Sequence, residues 1–121
     1  MKTGVWVSYN YGGWSLIFSK EFDLPFTPFY EMSLLDNGDG WENNVSCDNN
    51  DYRRTIIQYD IDKACFTVDV RNVWKRPVSE ETIDRTISCF VEGNWKRKDT
   101  TCIKQLKELM SRDVETYKDF R

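Results

Sequence analysis

At Pro77 the spacing of apolar side chains changes from every second residue to every third or fourth, and this change limits the fold more than any other feature. Before it, Val5, Val7 and Tyr9 alternate with Trp6 and Ser8, and residues 14–19 resume the alternation after Gly12 and Gly13. A two-residue turn at the glycines predicts an antiparallel hairpin in which Tyr9 faces Leu16 and Val7 faces Phe18, leaving one side apolar. Pro25 and Pro28 keep residues 22–29 out of a central strand, because proline has no N–H for a ladder.

A second hairpin is expected from residues 52–59 and 64–74 around a turn at 60–63. Pairing Tyr59 with Ala64 sets Ile57 opposite Phe66 and Thr55 opposite Val68. The other face then pairs Arg54 with Asp69 and Tyr52 with Arg71, both favourable cross-strand neighbours.

Beyond Pro77, Ser79 is a natural N-cap for Glu80 and Glu81, whose charges suit a helix N-terminus. Ile83, Ile87, Phe90 and Val91 make one helical stripe that Gly93 ends. A second helix, starting near Asp99 or Thr100, carries Ile103, Leu106, Leu109, Met110, Val114 and Tyr117. Strands first and helices last predict an α+β fold. We expect an antiparallel sheet of about four to five strands, built from two hairpins, with two C-terminal helices packed on one face. Val68, Val70, Ile83, Ile87, Leu106 and Met110 are its expected core. A chain of 121 residues suits a single domain, 1–121.

Charge is unevenly placed along this framework. Residues 36–51 hold five carboxylates, five asparagines and no Lys or Arg, a charge of −5, whereas residues 52–78 set six bases against three acids, a charge of +3. Connections above roughly 12–15 residues are uncommon in compact domains unless they bind something. This acidic loop is therefore assigned to docking on a basic surface of another protein. Asp36, Asp39, Glu42, Asp48 and Asp51 would steer the approach, and Trp41 would anchor it. The loop is not an EF-hand. Placing Gly40 at the required sixth position puts Leu35 first and Ser46 twelfth, where Asp and Glu belong; a non-EF calcium site from the clustered carboxylates and asparagine carbonyls is the lesser alternative, and no metal ligand is assigned.

Tyr52, Arg54, Arg71, Trp74 and Trp95 form a second constellation. Rings beside guanidinium groups suit an alternative ligand that is small, anionic and nucleotide-like. No phosphate-binding glycine motif or RNA-binding strand motif accompanies them, and the net charge is −3, so sequence-specific nucleic-acid recognition is not expected.

The chain contains no histidine, which removes Ser-His-Asp and Cys-His catalysis and the usual zinc centres. Carboxylates in a wet loop have nothing to raise the pKa of an acid catalyst. No catalytic residue and no cofactor is assigned. Cys47, Cys65, Cys89 and Cys102 lie 18, 24 and 13 residues apart, which excludes C-x-x-C pairs. They are read as separate reduced thiols, Cys89 and Cys102 as small core hydrophobes. No apolar run has the length of a signal peptide core or a membrane span, so the expected location is cytoplasmic, with no membrane partner. The resulting expectation is a small non-enzymatic binding protein that acts stoichiometrically on a macromolecular partner, as inhibitors, immunity proteins and phage counter-defence proteins do. A binder or sequestering protein for a nucleotide-like molecule is the alternative.

Overall fold

The computed structural model describes residues 2–29, 33–36, 41–44 and 53–119, and Asp39, Cys47, Asp48, Asp51 and Tyr52 lie outside them. Gly12, at φ 57°, turns the chain with Gly13 between β1 (Lys2–Tyr11) and β2 (Trp14–Asp23). The register is the expected one, Tyr9 opposite Leu16 and Val7 opposite Phe18. Next come two short paired strands, β3 (Ser33–Asp36) and β4 (Trp41–Asn44), in a sheet of their own. The second long hairpin joins β5 (Arg53–Asp60) to β6 (Cys65–Val73).

Its register differs from expectation by two residues. Tyr59 pairs with Phe66, Ile57 with Val68 and Thr55 with Val70. The reason lies in the turn. Asp60 Oδ1 accepts the Lys63 N–H at 3.1 Å, and Ala64 takes a left-handed φ of 52°, so Ala64 belongs to the turn and Cys65 is the first residue to pair. Because side chains alternate with period two, a two-residue shift keeps each residue on its face and changes only its partner.

Ser79 caps α1 (Glu80–Glu92) as expected, its hydroxyl accepting the Thr82 N–H at 3.1 Å. Gly93 ends the helix by donating to the Cys89 carbonyl, and the left-handed Asn94, φ 67°, turns the chain back. Lys20 Nζ donates to the Gly93 carbonyl at 2.7 Å and places a cation at the negative end of the helix. Val91 is exposed, off the expected stripe. A short strand, β7 (Lys96–Arg97), precedes α2 (Ile103–Asp119), which begins later than the expected Asp99 or Thr100.

The five-stranded sheet has the order β5-β6-β1-β2-β7 and is mostly antiparallel. Its central pair, β1 with β6, is parallel, with Val5 beside Val68 and Val7 beside Val70. Both helices cover one face. Val5, Val7, Leu16, Phe18, Val68 and Val70 from the strands meet Ile83, Phe90, Leu106 and Met110 from the helices, all 2% exposed or less. Ile87 packs against this core without being fully enclosed. Phe18 stacks on Phe90 with centroids 4.4 Å apart, and Trp95 meets Phe90 edge-on at 5.1 Å. The Lys107–Asp84 ion pair, at 2.7 Å, ties α2 to α1, and the Tyr11 hydroxyl donates to Asp113. Among the described residues no helix is long and apolar enough to cross a membrane.

Candidate functional site on the helix-free sheet face

Strand alternation that buries Val5 and Val7 turns Gly4, Trp6, Ser8 and Asn10 to the opposite face. The pairing registers align the neighbours there into rows. One row runs Ile56, Asp69, Trp6, Ser19, Lys96 from β5 to β7, and the next runs Arg54, Arg71, Ser8, Ile17. Trp6 is 37% exposed at the centre, beside residues as small as Gly4, Ser8 and Ser19. A Cβ at Gly4 would lie 3.7 Å from Trp6 Nε1, so the indole passes over that glycine.

Small neighbours around a large ring leave space on either side of it. A concavity of about 460 Å³ lies toward Ser8, Asn10 and Arg71, and another of about 530 Å³ toward Lys63, Lys96 and Lys98. Trp6 and Thr67 line both. On the first side Arg71 is paired with Asp69 at 3.0 Å, and Asn10 is held by Ser8, Ser15 and the Asn72 carbonyl. The second side is richer in cations. Lys63 comes from the β5–β6 turn, and Lys96 and Lys98 come from the opposite edge of the sheet, where their two-residue spacing sets both toward the same side.

Asp99 fixes that edge. β7 pairs with β2 only at Phe18 and Ser19, and the ladder continues with the Lys98 N–H donating to the Ile17 carbonyl at 2.7 Å. The Asp99 carboxylate then accepts the Ile17 N–H at 2.8 Å and the Thr101 N–H at 3.2 Å, while Arg97 Nη2 reaches it at 2.7 Å. The Thr101 hydroxyl donates to the Ser15 carbonyl. Burial opposes charge on Asp99, whose side chain is 3% exposed, but the Arg97 guanidinium and the two amides outweigh it and hold the carboxyl below its ordinary value of 3.8.

The residues assigned from sequence are distributed differently. Asp36 pairs with Trp41 and Leu35 with Glu42 across β3 and β4, so three members of the acidic set share one strand pair. Asp39, Asp48 and Asp51 lie outside the described residues. Of the aromatic and basic set, Arg54 lies opposite Arg71 rather than Asp69, because of the shifted register. Trp95 is 4% exposed in the helix-covered core, and Trp74 packs on Tyr9 at 5.2 Å beside that core. The structure therefore separates these two rings from the two arginines by the thickness of the sheet. Cys89 is half-buried, whereas Cys102 is exposed, against the expectation of core packing, because it precedes the first turn of α2.

Sequence reasoning passed over Trp6. The signal was present, since a tryptophan on the polar side of an alternating strand is placed away from the core. No family model, no curated protein and no solved structure matches this chain.

Proposed function

We propose that this chain is a small, non-enzymatic binding protein that acts stoichiometrically on a macromolecular partner, in the manner of inhibitor, immunity or counter-defence proteins. The observation that carries the reading is Trp6, part-exposed at the centre of the sheet face opposite both helices. Tryptophan at the centre of a surface is the residue type that most often anchors an interface, because it removes a large apolar area from water at little entropic cost. The charge of −5 over residues 36–51 supplies steering toward a basic partner, and Asp36, Trp41 and Glu42 sit together on one strand pair. Cys65 and Cys102 carry no disulfide among the described residues, and a cytoplasmic setting belongs to the same proposal.

Affinity capture from a lysate of the native host tests the reading, with the wild-type chain beside Trp6→Ala and an Asp36→Asn, Glu42→Gln variant. We expect one protein retained in near-equimolar amount by the wild type and depleted in both variants. Recovery of that protein unchanged by either variant would remove these surfaces from the proposal. A second reading, a binder of a small anionic, nucleotide-like molecule, is favoured by the lysines that converge beside Trp6.

A further inference from the structure

We infer that the 530 Å³ concavity beside Trp6 is a site for a nucleoside di- or triphosphate, with the base against the indole and the phosphates among Lys63, Lys96 and Lys98. The inference rests on the small-ligand reading and assigns it a place that differs from Arg54 and Arg71. Its volume lies in the range of about 300–1,000 Å³ typical of small-molecule sites.

Charge balance in the groove carries the argument. Two carboxylates line it: Glu21 pairs with Lys2 at 3.7 Å, and Asp60 accepts the Lys63 backbone N–H, a neutral donor that leaves its charge in the groove. Lys20 is directed to the Gly93 carbonyl. The ammonium groups of Lys63, Lys96 and Lys98 make no ion pair among the described residues. Lys20, Lys63, Lys96 and Lys98 line the concavity against the two carboxylates Glu21 and Asp60, and a polyphosphate among Lys63, Lys96 and Lys98 would offset that excess of cations while gaining charge-assisted hydrogen bonds.

The approach comes from two rims. Lys63 rises from the β5–β6 turn, and Lys96 and Lys98 rise from the segment that Asp99 clamps to β2, so the cations are carried on anchored backbone. Between them the floor is Gly4, Ser19 and Thr67, small enough for a planar ring to lie against Trp6, and hydroxyls supply hydrogen bonds. Stacking of a base on an aromatic side chain tolerates any base, so the site selects for phosphate number more than for base identity.

Thermal shift and calorimetric titration with a panel of nucleoside mono-, di- and triphosphates, a nucleoside without phosphate and inorganic triphosphate test the inference. A saturable rise in Tm with a nucleoside triphosphate and none with the nucleoside is expected. In the Lys96→Ala, Lys98→Ala variant the affinity should fall at least tenfold. Trp6→Ala should weaken the nucleotide while leaving inorganic triphosphate within twofold, and Trp6→Phe should keep most nucleotide affinity. No saturable shift with any nucleotide overturns the small-ligand reading itself. A shift that survives the lysine variant keeps that reading and overturns this groove. Inorganic triphosphate binding as tightly as the nucleotide in the wild type overturns the assignment of a base to Trp6.

Discussion

The backbone N–H of Ile17 donates to the Asp99 carboxylate at 2.8 Å, across 82 positions of sequence. A side chain thus takes the place of a strand neighbour where β7 has ended, and the same carboxylate holds Arg97 and the Thr101 amide. This group helps to hold the rim that carries Lys96 and Lys98, together with the β7–β2 pairs and the Lys98 N–H bond to the Ile17 carbonyl. Asp99→Ala should therefore destabilise the fold by about 1–3 kcal/mol, the cost of leaving buried donors unsatisfied, read as a lower urea midpoint at unchanged slope.

The contribution of Asp99 depends on pH with a definite sign. Its folded carboxyl titrates below the ordinary value of 3.8, so the unfolded state takes up protons first as the solution is acidified. The stabilisation is complete above that value and is lost as pH falls from it through the lower folded value. The stability gap between wild type and Asp99→Asn should be constant near neutrality and narrow below about pH 3.8, measured by urea titration across the acid range.

Leu106→Ala should cost about 2–5 kcal/mol, since Leu106 is 1% exposed within the core shared by sheet and helices. Val91→Ala, on the outer side of α1 at 52% exposure, should change stability by less than about 0.5 kcal/mol. Equal urea midpoints for the two variants would contradict the placement of the helices.

Gly12 and Gly13 should respond differently to alanine. Nothing lies within 4 Å of a Cβ built at either, but only Gly12 has a left-handed φ, 57°. Gly12→Ala should lower stability by about 1–2 kcal/mol from backbone strain alone, and Gly13→Ala much less, by thermal or urea unfolding.

Local chemistry was readable in the sequence. The first hairpin with its Val7–Phe18 and Tyr9–Leu16 pairs, the Ser79 cap and the stop at Gly93 all follow from residues a few positions apart. The second hairpin was readable only as far as its faces, because a period of two cannot distinguish registers that differ by two, and the left-handed Ala64 made the choice. Tertiary structure alone decided that β6 lies parallel to β1, since alternation states which side of a strand is apolar and not which edge it joins. It also decided between the tryptophans. Trp95 was buried and Trp6 left part-exposed by the helices packing on the Val5 face, and Lys63, Lys96 and Lys98 became neighbours of one groove only when the β5–β6 turn and β7 were brought to opposite sides of Trp6. Such convergence depends on which strands lie side by side, a long-range choice made by burial of the whole core rather than by any segment within it.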